Sequence, residues 1–340
     1  MLDQRTVLAM LRAAAEPTRL RVLALLTRGE LSVKDLTRIL NQSQPRISRH
    51  LKLLAEAGLV ERLREGSWAY FQLVQTGPKG LLVQSLLDAI DPADPALSRD
   101  RSRADTVKRE REAAAQDYFR ENAAEWDRIR ALHITEGRVE AAVLEALGPG
   151  PFGLLVDLGT GTGRMLELLA GRYAKAIGFD VNHTMLAYAR GKTEEAGIIG
   201  ASVRHGDLYD VALADGAADA IIMHQVLHFL IEPSQAIAEA ARLLAPGGRL
   251  VIVDFAPHGM EFLREAFAHE RLGFAQAMVG QWLADAGLVL EGARDLAPAD
   301  TSAGDKLTVT VWTAIRPAVA RFDDPARNAV TGPRLSKIEA

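Results

Sequence analysis

After Gly148-Pro149-Gly150-Pro151 the chain changes texture, and this change restricts its fold more than any other feature. Four short apolar runs, Leu154 to Leu158, Ala176 to Asp180, Ala220 to Met223 and Leu250 to Asp254, alternate from there with stretches of helical periodicity. An apolar run without polar alternation is buried on both faces, and strands separated by helices pair in parallel. The pattern predicts an α/β domain built on a Rossmann-like, doubly wound sheet. Strand-like stretches near Leu288 to Asp295 and Leu307 to Thr313 close it.

The first run leads into Gly159-Thr160-Gly161-Thr162-Gly163, with a helix expected from about Arg164. Glycines at a strand-to-helix turn let the backbone approach a ligand closely, and a helix N-terminus favours an anionic group. The spacing is GxGxG rather than the GxGxxG of dinucleotide sites, which points to a ligand without pyrophosphate. Asp180 closes the next run, where a carboxylate can accept both ribose hydroxyls. Asp207 follows the strand-like Ala201 to His205 and can accept from an exocyclic amine.

Asp157-x-Gly-x-Gly-x-Gly163, Asp180, Asp207 and Pro246-Gly247-Gly248 stand in the order and spacing of class I S-adenosylmethionine-dependent methyltransferases, which the chain resembles over about residues 115 to 315. The resemblance implies S-adenosylmethionine or S-adenosylhomocysteine as ligand. It sets Asp157 near the methionine amino group, Gly159, Thr160, Gly161 and Gly163 along the cofactor, Asp180 at the ribose and Asp207 at the adenine. Val181, Leu208, His224, Gln225 and Tyr118 complete the expected contacts. Tyr118, Phe119 and Trp126 look like a lid, and the same aromatics also suit plain helix packing. His228, Trp126 and His269 are candidates for a substrate pocket. A lone histidine is more often structural than a base, so no catalytic residue is assigned.

The N-terminal part has a different texture. Apolar residues recur at helical spacing from Val7 to Thr27 around Glu16-Pro17-Thr18, and Ser32 precedes a short helix with Val33, Leu36, Ile39 and Leu40. After a polar turn, Pro45 opens a helix whose apolar face is Ile47, Leu51 and Leu54, and a hairpin is expected around Glu65-Gly66-Ser67. Helix, helix, turn, helix and hairpin make a winged helix-turn-helix. The second helix of such a unit enters the major groove, and Gln44, Arg46, Ser48, Arg49 and His50 lie off its buried stripe. Lys52 suits a phosphate, and the wing adds Arg62 and Arg64.

Pro17-Thr18-Arg19-Leu20, Ser43 to Lys52, Glu56-Ala57-Gly58-Leu59-Val60 and Arg64-Glu65-Gly66 to Tyr70 resemble the ArsR/SmtB family of bacterial repressors over about residues 5 to 90. The resemblance implies operator DNA as partner and a homodimer paired through the terminal helices. Metal-sensing members carry cysteines in the helix before the recognition helix. Here that stretch reads Glu30-Leu31-Ser32-Val33-Lys34-Asp35-Leu36, and the chain has no cysteine. A hydroxyl and an ammonium cannot replace thiolates, so no metal is expected, in this head or as a metalloid substrate of the body.

Charge divides the chain in the same place. Residues 1 to 80 hold 13 Lys+Arg against 7 Asp+Glu, and the remainder holds 27 against 37. A basic head on an acidic body predicts that only the head meets a polyanion. No apolar run reaches the roughly 20 residues that span a bilayer, so a cytoplasmic protein without membrane contact is expected. The reading divides the 340 residues into a DNA-binding domain at 1–90, a linker at 91–106 without hydrophobic periodicity, a methyltransferase-like domain with a helical lid at 107–315, and a flexible tail at 316–340. A helix from Val107 to His133 is expected to pack on both the body and the partner's head and so to couple them. Two functions stay open: a transcriptional regulator that reads S-adenosylmethionine or S-adenosylhomocysteine as effector, as in similar regulators of the methionine cycle, and a small-molecule methyltransferase with an autoregulatory DNA-binding domain.

Overall fold

A computed structural model describes residues 1–65, 68–131, 136–298 and 307–318. The head begins with α1 (Gln4–Ala14) and α2 (Pro17–Leu26), and a two-residue strand, β1 (Leu31–Ser32), leads into α3 (Val33–Leu40). Ser32 and Asp35 form a capping box that fixes the start of α3: each side chain receives the other's backbone amide. Asn41 then turns left-handed at φ 52° and stops the helix. The recognition helix α4 (Gln44–Glu56) buries Ile47, Leu51 and Leu54, as the spacing predicts. The wing strands β2 (Val60–Glu65) and β3 (Trp68–Leu73) pair antiparallel, and β1 adds to β3 through Leu31↔Phe71 and Ser32↔Tyr70. Helix α5 (Gly77–Asp88) closes the head.

The expected linker is a correction. Most of residues 91–106 belongs to α6 (Pro95–Asn122), one helix of 28 residues. Its sequence has no apolar stripe because charged side chains hold it. Arg21 grips the buried Asp100 with two bonds of 2.6 Å, Arg103 donates to the carbonyl of Ile39, and Arg38 pairs with Glu110. The helix packs on the head of its own chain. A short 3₁₀ turn leads to α7 (Trp126–Ala131), and α8 (Glu136–Leu147) follows; His133 lies outside the described residues.

The body then winds through β4 (Phe152–Leu158), α9 (Arg164–Leu168), β5 (Tyr173–Asp180), α10 (His183–Glu195), β6 (Ala201–His205) and β7 (Ala218–His224). After the 3₁₀ turn Leu227–Phe229 come α11 (Pro233–Leu243), β8 (Leu244–Phe255), α12 (Phe262–Ala266), α13 (Gln276–Asp285), β9 (Val289–Leu296) and β10 (Val309–Ile315). Among the described residues these strands form a seven-stranded sheet in the order β6-β5-β4-β7-β8-β10-β9, parallel except for antiparallel β10. Neighbouring residues of each strand face opposite cores. Val156, Leu158 and Ile221 pack with α11 and α13, whereas Leu155, Ala220 and Ile222 pack with α8 and α9. Because β4 pairs with both β5 and β7, the chain order reverses there, and the crevice at the strands' carboxyl ends is where such sheets bind ligands. Arg316, the first residue of the expected tail, is still held by β8, and residues 319–340 lie outside the described ones.

Candidate functional site

The crevice holds a cavity of about 300 Å³. The glycine turn forms its floor. The amides of Gly159 and Thr160 both donate to the carbonyl of Phe179 at 2.9 Å, which locks the turn against β5. Gly159 has φ 79°, and a Cβ there would stand 2.4 Å from the Val226 side chain, so the loop needs glycine at this position for two separate reasons. Thr160 donates its hydroxyl to the buried Asp157 at 2.6 Å. Asp180 accepts from the amides of Gly161 (2.9 Å) and Asn182 (2.8 Å). Burial pushes its carboxyl above the usual range, and these amides oppose the shift.

Asp157, Gly159, Thr160, Gly161, Asp180, Val181, Asp207, Leu208, His224, Gln225, Phe119 and Trp126 all line this one cavity. Two expected contacts lie elsewhere. Gly163 starts α9 at φ 83° and faces Ala189 of α10, because the turn has already closed by this residue. Tyr118 points one helix position away, into a neighbouring aromatic space with His228 and His269, where burial raises its hydroxyl to about 12.

That second space is lined by Trp126, Gln225 and Phe229, which also line the first, and by Phe255 and Phe267. Its volume is about 30 Å³, room for a water or two. His228 lies in it, fully buried, with Nδ1 2.8 Å from Asp254. Asp254 also accepts the amides of His228 and Phe255, so the carboxylate holds the ring with Nδ1 as donor. Gln225 stands between the two spaces at φ 52°, 6% exposed, and its side-chain amide nitrogen has no hydrogen-bond partner among the described residues. A left-handed non-glycine residue beside a cavity, with a buried donor facing it, has the geometry that a ligand contact requires.

Sequence reasoning missed the wall that α6 supplies, Glu112, Ala115 and Gln116. Gln116 receives the Asn182 side-chain amide at 3.0 Å and so joins α6 to the turn after Asp180. It also missed Asp254 as partner of His228, although an Asp closing an apolar strand, like Asp157 and Asp180, was a usable signal.

On the head, Gln44, Arg46, Ser48, Arg49, Lys52 and Arg62 are exposed. His50 is a correction: its ring turns back to 3.5 Å from Glu16, the residue that caps α2, and burial lowers its pKa. The Arg64 side chain lies outside the described residues. Among the described residues no group of three or more His, Asp or Glu is placed to hold a metal, and no helix is long and apolar enough to cross a membrane.

Residues 156–252 match the methyltransferase domain family, and residues 16–62 match the arsR family of bacterial regulatory proteins. The fold and the sequence together define an ArsR-type helix-turn-helix domain fused to an S-adenosylmethionine-dependent methyltransferase domain. The head is 46% identical over 65 residues to the arsenical resistance operon repressor of Escherichia coli, covering 19% of this chain and 56% of that protein. The body is 33% identical over 157 residues to a demethylmenaquinone methyltransferase of Deinococcus radiodurans, covering 44% and 64%. It is 36% identical over 110 residues to an arsenite methyltransferase of Aquipseudomonas alcaligenes, covering 29% and 32%. The chain spans about a third to two thirds of the length of the curated relatives it matches.

Proposed function

We propose that this protein is a homodimeric transcriptional regulator whose body binds S-adenosylmethionine or S-adenosylhomocysteine and thereby changes the affinity of the head for operator DNA. The observation that carries the reading is α6. One unbroken helix meets the head through Asp100, Arg103 and Arg111 and walls the cavity through Glu112, Ala115 and Gln116. A flexible tether cannot transmit a state, whereas a helix shared by both modules can. The two cavity volumes support the same side, because about 300 Å³ suits a nucleoside ligand and about 30 Å³ leaves little room for a methyl acceptor beyond Phe229. In the bound state Asp180 holds the ribose, Asp207 the adenine, and the glycine turn lies along the methionine part. The cofactor supplies a methyl sulfonium or, once demethylated, a neutral thioether.

A tenfold change in operator affinity requires about 1.4 kcal/mol of coupling. The test is a gel-shift titration at fixed salt, using a duplex enriched from random sequence by the protein itself. Saturating S-adenosylhomocysteine or S-adenosylmethionine is expected to move the midpoint at least about fivefold. Unchanged midpoints with both ligands would remove the sensor reading.

The second reading, an active methyltransferase, is favoured by the His228–Asp254 pair. A buried imidazole held by a carboxylate is suited to take a proton from an acceptor hydroxyl. Sustained transfer of labelled methyl groups to a metabolite extract would promote it.

A further inference from the structure

A short segment of the body touches both the wall of the cavity and the head. The turn Leu227–Phe229 presents Phe229 to the cavity, and the carbonyl of His228 accepts the amides of Glu270 (2.9 Å) and Arg271 (3.0 Å). Ala268, two residues earlier, holds φ 56°, a strained conformation for alanine that the surrounding contacts must maintain. From there the side chains reach the other way. Arg271, 3% exposed, donates to Glu30 at 2.7 Å and lies 4.2 Å above the ring of Tyr70. Tyr70 in turn donates its hydroxyl to the carbonyl of Glu270 at 3.0 Å. Arg111 of α6 bridges the Glu270 carboxylate (2.8 Å) and Asp35 (3.2 Å).

The places where these groups meet the head are few and specific. Glu30 immediately precedes β1, Tyr70 lies in β3, and Asp35 is half of the capping box that fixes α3. Helix α3 leads directly into the recognition helix. Buried ion pairs add little net stability, because desolvation consumes most of the Coulomb gain, but their geometry is narrow and their disruption is expensive. A cluster of this kind across a domain boundary is therefore better suited to set relative position than to supply adhesion.

We propose that Arg271 and Arg111 form a clasp through which occupancy of the cavity sets the position of α3 and, through it, the recognition helix. This rests on the sensor reading above and specifies its route. A ligand in the cavity displaces Phe229, the His228 carbonyl follows, and residues 270 and 271 move with it. Both arginines then act on the strand and helix start that orient α4.

The full-length chain is tested by amide hydrogen exchange with and without saturating S-adenosylhomocysteine, beside calorimetric titration of the same ligand. In the wild type, exchange across residues 31–40 is expected to change by roughly five- to tenfold on binding. In Arg271→Gln and in Glu30→Gln the ligand is expected to bind within about twofold of wild type, while the change across residues 31–40 falls to under about a third. Arg271→Lys keeps the charge but loses the forked geometry, so it is expected to recover only part of the response. Full retention of the change in both charge-removing variants overturns the clasp and leaves the sensor reading standing. Loss of ligand binding in Arg271→Gln also overturns it, because Arg271 would then belong to the binding site. No change across residues 31–40 in the wild type also overturns the clasp, while the gel-shift titration alone decides the sensor reading. If Arg271→Gln does not fold, Glu30→Gln, which removes one charge from the head side alone, decides.

Discussion

Gly159 concentrates the demands of the site in one position. Its left-handed backbone penalises any Cβ, and the Cβ would meet Val226 at 2.4 Å. In Gly159→Ala, calorimetry is expected to show at least a tenfold weaker affinity for S-adenosylhomocysteine, since strain of about 1–2 kcal/mol displaces the loop that carries the ligand. His258 tests a different property. Its Nδ1 accepts from the Met260 amide, and burial, reinforced by His228, lowers its pKa from 6.5 to about 4, with Asp254 and Glu261 opposing and Arg264 adding. The unfolded chain therefore binds the extra proton first. Stability from neutral His258 is complete above pH 6.5 and is lost as pH falls toward 4, by about 1 kcal/mol at pH 5 after allowance for partial exposure. The buried carboxyls of Asp180 and Glu270, shifted upward, run the opposite way. Thermal melts of wild type and His258→Asn between pH 7 and 5 isolate its share, and the variant is expected to show the shallower acid-side decline. Residues such as Gly159, Asp180 and Asp207 were legible in the sequence because their meaning lies in local spacing. The position of Asp254 at the end of an apolar strand was a usable signal, but its pairing with His228 and the left-handed backbone of Gln225 were not legible, because both are set by packing between β7 and β8.

Among the elements, α6 shows where sequence pattern fails. Periodicity finds helices by their apolar stripe, and this helix buries only Leu97, Asp100, Val107 and Ala115. Its place on the head is set by ion pairs to Arg21, Arg38 and Asp35, residues far away in the chain. The central strands β4, β5, β7 and β8, by contrast, were legible because each carries a short continuous apolar run of the kind that is buried on both faces. Ala114 is exposed on α6, past the last head contact at Arg111 and between the cavity-wall residues Glu112 and Ala115. Ala114→Pro removes one helical hydrogen bond and clashes with the turn before it, at a cost of about 3 kcal/mol. Because the site is solvent-exposed and no core contact is lost, head and body are each expected to stay folded. Calorimetric scanning is expected to show the two modules melting separately in the variant, with S-adenosylhomocysteine raising the midpoint of the body alone.

Across the whole molecule, a basic helix-turn-helix head and an acidic methyltransferase-fold body could be taken from charge and motif order, while the way the two are joined could not. The proposed dimer is the remaining feature at this scale. Leu8 and Leu11 on α1 are 42% and 38% exposed, and Leu81 on α5 is 71% exposed, so apolar side chains stand uncovered on the two helices at the ends of the head. Paired heads place two recognition helices on successive major-groove faces, and the second contact is then nearly intramolecular. Leu81→Glu puts a charge into that contact without touching the head core or the cavity. Sedimentation is expected to find a monomer with unchanged S-adenosylhomocysteine affinity, and affinity for the enriched duplex is expected to fall by about 10²–10⁴-fold. The salt dependence separates loss of the dimer from damage to the reader. A monomer that still reads one half-site neutralises half as many phosphates, so the slope of log affinity against log salt should drop to about half. A variant whose affinity falls while it remains a dimer with the full slope would place the pairing surface elsewhere.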